Sequence, residues 1–469
     1  MAAELATRHA TELAGLVRAR KASPVEVTEA VLARIDACEP ALNAFVVLDR
    51  EGAIEAAKAA EAAVAGGAAL GPLHGVPVTI KDVQAVAGLP TRRGSRLSDP
   101  APATADAPLV ARLRAAGAII LGKTTATELG WTAVSDSPLT GSTHNPWRRG
   151  YTSGGSSCGA AALAAAGCGP LHLGTDGAGS IRLPAHFCGA IGLKPTFGTV
   201  PYGPTPNNNL LSHAGPITRS VADAELMMEV MSGWHPLDPL SHPGGYRADT
   251  GSAGVKGLRI AYSPDLGHAR VDSDVAAIVA DAVGELARLG AVVKEVTPPW
   301  GPQGSHLVRK LWVPPLLYYK PDDEKAAAAI DAGLLACLRS YADTPWIDIS
   351  NAHAERLAYA AAVGQWFADG WDLLVTPSAS VAAFPHGRQR PDHWPHHPWD
   401  WLVWAEFSYP FDLSHSPAVS VPCGLTPEGL PVGLQIVGTR FADPLVMRAA
   451  RAFLEARPFA YSCMEVGAH

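Results

Sequence analysis

Residues 151–196 read YTSGGSSCGAAALAAAGCGPLHLGTDGAGSIRLPAHFCGAIGLKPT, and the rest of the chain makes sense around them. Two clusters, Gly154-Gly155-Ser156-Ser157 and Gly177-Ala178-Gly179-Ser180, flank a run of small residues. Glycine costs roughly 0.5–1 kcal/mol relative to alanine inside a regular element, so such clusters are poor packing material. They suit places where backbone must approach a ligand. Two of them, each ending in hydroxyls, point to a backbone-lined site with serine chemistry. The segment from Ser157 to Thr175 is uncharged, but its Ala, Gly and Cys content and its Gly169-Pro170 break argue against a membrane span. The pattern predicts a buried helix of small residues running into a strand.

Three nucleophiles compete within this stretch. Gly155-Ser156-Ser157-Cys158-Gly159 fits the elbow pattern G-x-S-x-G with Ser157 as nucleophile. An elbow must follow a buried strand, and Trp147 to Tyr151 does not read as one. Cys158 or Cys188 would serve as a thiol nucleophile with a histidine base, although free cysteines are more often small buried hydrophobes. Ser180 closes the third reading. Gly177-Ala178-Gly179-Ser180 presents successive backbone N–H groups that suit a developing oxyanion. No histidine lies in either cluster, so a serine here needs another base. A lysine serves if burial pulls its pKa well below ~10.4.

Upstream, Val76-Pro77-Val78-Thr79-Ile80 reads as a strand that delivers Lys81 and Asp82 at its end. Ser23-Pro24-Val25-Glu26 is a capping box opening a helix expected to end before Pro40, and Ala53 to Ala65 is a second helix. Gly117-Ala-Ile-Ile-Leu-Gly122-Lys123-Thr124 matches the P-loop pattern. Its middle residues are themselves a buried strand, so the segment cannot wrap phosphates.

Downstream, Ser212 to Ser220 reads as a loop and Val221 to Met231 as a helix. Leu258–Tyr262, Asp274–Leu289 and Val292–Val296 form a βαβ unit, and Ala354–Phe367 is a helix before the strand Leu373–Val375. Ala418–Pro422 and Val432–Val437 are strands, and Asp443 is expected to cap a closing helix. Residues 384–404 gather His386, His393, His396 and His397 among Trp394, Trp399, Trp401 and Trp404. The histidine spacing fits no helical zinc pair. The four tryptophans are read instead as walls of a hydrophobic leaving-group pocket, with plain core packing the commoner role for any single one of them.

These residues resemble the amidase signature family, whose members show G-G-S-S-G-G, then G-T-D-T-G-G-S-I-R-x-P-A, then C-G-x-x-G-x-K-P-T. The matching segments are Gly154–Gly159, Gly174–Ala185 and Cys188–Thr196, with further family-like elements at Gly75–Asp82, Leu121–Thr124 and Gly433–Gly438. The resemblance spans nearly the whole chain. It implies one large α/β domain over residues 1–469, a central mixed β-sheet covered by helices on both faces. Within it, about 1–65 would be N-terminal helices, 66–200 the catalytic core, 235–400 a variable substrate-shaping region and 405–469 the C-terminal strands and helix.

The resemblance also implies a Ser–cisSer–Lys triad: Ser180 as nucleophile, Ser156 as proton relay on a cis Gly155–Ser156 peptide, and Lys81 as base. The N–H groups of Gly177, Ala178, Gly179 and Ser180 would hold the oxyanion, with Ser157, Asp176, Arg182 and Gly155 in support. Cys158 stands where the family usually has Gly, and Gly177-Ala178 where Thr-Gly is common. The implied reaction is C–N cleavage of a small or medium uncharged, hydrophobic or aryl amide, with no metal or cofactor. Carbamate or ester hydrolysis by the same chemistry, and the glutaminase component of a tRNA-dependent amidotransferase, are the alternatives.

Composition bounds the partners. With 48% hydrophobic and 17% charged residues in 469, the chain buries a substantial core, and its net charge of −7 with no Lys/Arg run argues against a nucleic-acid partner. Seven scattered cysteines without a C-x-x-C pair, and an N-terminus without an apolar signal region, predict a cytoplasmic protein with reduced thiols. A monomer or homodimer, off the membrane, is the expectation.

Overall fold

The structure, a computed structural model, describes residues 2–203, 210–251, 254–397 and 399–461. Fifteen α-helices and an 11-stranded sheet are assigned among them. The sheet strands in chain order are β1 (Phe45–Leu48), β2 (Pro77–Lys81), β3 (Ile119–Thr124), β4 (Leu171–Asp176), β5 (Ile191–Lys194) and β6 (His213–Thr218). β7 (Arg259–Tyr262), β8 (Val292–Glu295), β9 (Leu373–Pro377), β10 (Ala418–Leu425) and β11 (Pro431–Gly438) complete it. Their spatial order is β1-β3-β2-β4-β6-β5-β10-β11-β9-β7-β8. The β3-β2-β4 and β9-β7-β8 neighbours are parallel, and the other pairs antiparallel, so the sheet is mixed.

The two-residue period of a strand sorts the faces. One face presents Val78, Ile80, Leu171, Leu173, Ile191, Leu193, Val419, Val421, Leu434 and Ile436 to a large apolar core. That core includes buried residues of the helices Ala10–Arg18, Pro108–Ala115, Val221–Met231, Ser273–Arg288 and Asp443–Ala456. The alternate positions are small or polar: Thr79, Lys81, His172, Gly174, Asp176, Gly192, Lys194, Ser420, Gly433 and Gln435, all buried. Against this second face pack the helices Cys158–Ala165 and Arg182–Cys188. A Cβ on Gly192 would sit 2.7 Å from Ala185 Cβ, so glycine is what lets the second helix lie close. A sheet greasy on one side and polar on the other places its chemistry on the polar side.

Several sequence expectations hold, including the capping box at Ser23 and Glu26, the Val221–Met231 helix and the parallel βαβ unit. Others do not. The first long helix passes through Pro40 to Leu42, because it ends on Asn43 in a left-handed conformation (φ 53°) that returns its N–H to Glu39. The segment read as a loop from Ser212 contains the central strand β6. Its Pro216 pairs with Leu173, and pairing to β5 begins only at Ile217, so the missing N–H faces no ladder partner there. Asp443 does not cap the closing helix; its carboxylate accepts from Thr196 N and Oγ1 at 2.7 and 2.5 Å, tying that helix to the end of β5. Among the described residues no helix is long and apolar enough to cross a membrane.

Candidate active site

Lys81 ends β2 on the polar face and is wholly buried. Its Nζ lies 2.8 Å from Ser156 Oγ, 2.9 Å from Thr175 Oγ1 and 3.3 Å from Thr175 O. Burial drives its pKa from 10.5 down to about 7, against the smaller opposing pull of Cys158 and Asp176. Ser156 follows a cis Gly155–Ser156 peptide bond. A side chain on Gly155 would meet Val134 O at 2.2 Å, so only glycine fits there. The neighbouring Ser157 is buried and donates its hydroxyl to Thr175 O at 3.2 Å, the carbonyl that Lys81 also reaches.

The second cluster turns between β4 and the helix Arg182–Cys188. Asp176, the last residue of β4, is its organiser. One carboxylate oxygen accepts from Gly179 N (2.5 Å) and the other from Ile181 N (3.1 Å) and Arg182 Nε (2.9 Å). Burial pushes this carboxyl up, but Arg182 and Lys194 outweigh it and hold Asp176 well below the usual range. Arg182 is fully buried and also reaches Ser408 O, Gln435 Oε1 and Asp412 Oδ2, at 2.8, 2.9 and 2.6 Å. Burial and the charge of Asp176 push the Asp412 carboxyl well up. Three segments of the chain, at 176–182, 408–412 and 435, are thereby locked on one guanidinium.

That geometry revises one expectation. The N–H of Gly179 is committed to Asp176, so it is not available to an oxyanion. Among the described residues the N–H groups of Gly177, Ala178 and Ser180 donate to no protein acceptor. Gly177, Ala178 and Ser180 all line the cavity onto which Lys81 and Ser156 also open, a space of about 330 Å³. Its outer wall is apolar and aromatic: Leu129, Trp312, Leu316, Tyr319 and Trp401.

Of the four tryptophans expected to wall a pocket, only Trp401 lines this one. Trp394 and Trp404 are core residues whose indole N–H groups are held by Val403 O and Gln389 O. Trp399 packs edge-on behind Trp312, which does face the cavity. The histidines of that segment disperse: His386 sits on Ser142, His393 on Asp272, and His396 on Arg390.

The competing nucleophiles are accounted for. Cys158 and Cys188 are buried, and burial pushes the Cys158 thiol up to about 12. The segment before the elbow-like pattern is the strand Arg148–Thr152, and as expected it is not a buried strand. It belongs to a separate two-stranded sheet and begins exposed, so it does not build an elbow. Lys123 of the P-loop-like string ends up buried in an ion pair with Asp82 at 3.1 Å. Sequence reasoning missed Thr175, Asp412 and Gln435. An acid inside the apolar run Tyr409-Pro410-Phe411-Asp412-Leu413 was the available signal for the second of these.

The Amidase family pattern matches residues 26–314 and 330–447. An acylamidase of Rhodococcus erythropolis is 41% identical over 473 residues, covering 96% of each chain. A glutamyl-tRNA(Gln) amidotransferase component from Salinispora arenicola is 35% identical, covering 96% of this chain and 97% of its own. Among solved structures, a bacterial aryl acylamidase belonging to the amidase signature enzymes superposes with a TM-score of 0.91 at 29% identity, over 98% of both chains.

Proposed function

The chain belongs to the amidase family and is an amide-hydrolysing enzyme, and on that premise we propose that it cleaves hydrophobic or aryl amides through an acyl-enzyme on Ser180. The observation that carries the reading is the wholly buried Lys81, its Nζ 2.8 Å from Ser156 Oγ, opening on the same cavity as Ser180.

With a pKa of about 7, Lys81 is substantially neutral near neutral pH and accepts a proton. It takes the Ser156 hydroxyl proton as Ser156 takes that of Ser180, and Ser180 Oγ attacks the amide carbonyl carbon. Negative charge on the carbonyl oxygen is met by the N–H groups of Gly177, Ala178 and Ser180. One such donor is ordinarily worth roughly 2.7–4 kcal/mol in the transition state. The C–N bond breaks as Ser156 returns its proton to the leaving nitrogen and draws one from Lys81. Water then loses a proton through the same relay and attacks the ester, releasing the acid and restoring Ser180. Asp176, Arg182 and Ser157 fix the backbone that carries these groups.

The aromatic wall of the cavity and the similarity to an aryl acylamidase support an aryl or alkyl amide as substrate. The similarity to amidotransferase components supports glutamine as the second reading, and esters and carbamates follow from the same acyl chemistry. We read the protein as a cytoplasmic monomer or homodimer, in keeping with six described cysteines that are all free. A rate panel of 4-nitroanilides, a carbamate, a 4-nitrophenyl ester and glutamine separates these substrates. Turnover of glutamine alone would overturn the aryl amide reading. Ser180→Ala should abolish turnover with the melting curve unchanged, and retained activity would remove Ser180 from the mechanism.

A further inference from the structure

We propose that Arg93 selects amide substrates carrying a carboxylate at the end remote from the scissile bond, an inference that rests on the amidase reading of the cavity. Among the described residues Arg93 is the one charged residue lining that cavity other than Lys81, which burial keeps largely neutral at higher pH, and no Asp or Glu lines it. Arg93 is half-buried. Nη1 donates to Tyr319 Oη at 2.5 Å, and the guanidinium lies 5.9 Å from the Tyr319 ring centre. Among the described residues no carboxylate pairs with it within 4.0 Å. A guanidinium has five N–H donors, and a single neutral hydroxyl satisfies a small part of that capacity.

The placement of Arg93 is enforced from both sides. Its backbone N–H donates to Asp82 O at 3.0 Å, beside the strand end that delivers Lys81, and its carbonyl accepts from Leu129 N at 2.8 Å. Its φ is +51°, a left-handed conformation uncommon for arginine, so the surrounding contacts dictate it. Arg93, Tyr318 and Tyr319 also line an outer groove of about 810 Å³, so they form the neck between the two spaces. The groove's charged groups, Asp99, Lys320, Asp322 and Asp323, are exposed and screened by solvent. At the neck, a substrate carboxylate replaces the Tyr319 hydroxyl with a charged, bidentate partner. An ammonium there meets a like charge, and among the described residues the inner cavity offers it no Asp or Glu.

The test uses matched 4-nitroanilides of glutaric acid (free carboxylate), hexanoic acid (neutral) and 5-aminopentanoic acid (ammonium). A second series puts carboxylate, methyl or aminomethyl on the aniline ring, so that the charge can reach Arg93 from either side of the amide. In at least one series the wild type should favour carboxylate over neutral and neutral over ammonium in kcat/KM. Arg93→Gln should lower the carboxylate value about ten- to a hundredfold, the ordinary cost of losing a charge-assisted pair, with the neutral value held within about twofold. Arg93→Lys should recover part of the preference, and Tyr319→Phe should keep it, because the guanidinium remains. If Arg93→Gln shifts all three substrates equally, or the wild type shows no carboxylate preference in either series while hydrolysing the neutral anilides, the inference is wrong and the amidase reading stands. If none of the anilides is hydrolysed, the aryl amide reading itself falls, and this inference with it.

Discussion

Lys81→Met should make a dead enzyme that is more stable than the wild type at neutral pH. A lysine ammonium titrates at ~10.4 in an unfolded chain, whereas burial drives Lys81 down to about 7 in the fold. The folded value lies below the unfolded one, so between them the unfolded chain holds the extra proton. Lys81 therefore costs stability at every pH below ~10.4, and the cost is fully developed below about 7. At about 1.4 kcal/mol per unit, that cost approaches roughly 5 kcal/mol. Methionine of similar length gives up the contacts to Ser156 Oγ, Thr175 Oγ1 and Thr175 O. At about 1 kcal/mol for each, the net gain at pH 7 is ~2 kcal/mol. Denaturant unfolding of both proteins at pH 7 and at about pH 10.5 measures it, the gain shrinking or reversing at the higher pH as both states of the lysine lose their charge. A variant less stable at pH 7, or a difference indifferent to pH, would refute the reasoning that this lysine is held neutral by burial.

The same titration governs rate. Below about 7 the protonated Lys81 cannot accept a proton, so kcat/KM should fall about tenfold per pH unit on the acid side and level off above. An acid optimum for a neutral anilide would exclude it as the base. Gly179→Ala should abolish activity and destabilise the protein, because its Cβ would meet Ser408 Oγ at 2.6 Å on a φ of +116°. Gly177→Ala, whose nearest neighbour would be Ser212 Oγ at 3.5 Å, should fold normally, and melting curves compare the two. Arg182→Met strands the buried carboxylates of Asp176 and Asp412 and should cost about 3–5 kcal/mol in denaturant unfolding.

The site is more legible in the sequence than the fold around it. Ser156, Ser180 and Lys81 stand in local patterns whose glycines and strand-end placement have direct physical meaning, and the structure brings all three to one cavity. Strand β6 escapes a sequence reading because Gly215-Pro216 signals a turn locally, and only its neighbours make it a central strand. The role of Gly179 is hidden for a related reason. Four consecutive N–H groups look equivalent on paper, but Asp176, three residues earlier, claims one of them. The tryptophan cluster shows the limit of composition, since indole N–H groups satisfied by carbonyls make Trp394 and Trp404 structural. Trp312 and Arg93, which do face the cavity, lie far from the serine clusters in sequence and carry no motif.

The mechanism turns on which atom carries the acyl group. Rapid acid quench during turnover of a 4-nitroanilide, followed by peptide mass spectrometry, locates that group directly. Fragment ions should place the acyl mass on Ser180 itself, within the peptide 150–182 that also holds Ser157 and Cys158, and the mass should be absent from Ser180→Ala; an acyl group on Ser157, Cys158 or Cys188 would contradict Ser180 as the nucleophile.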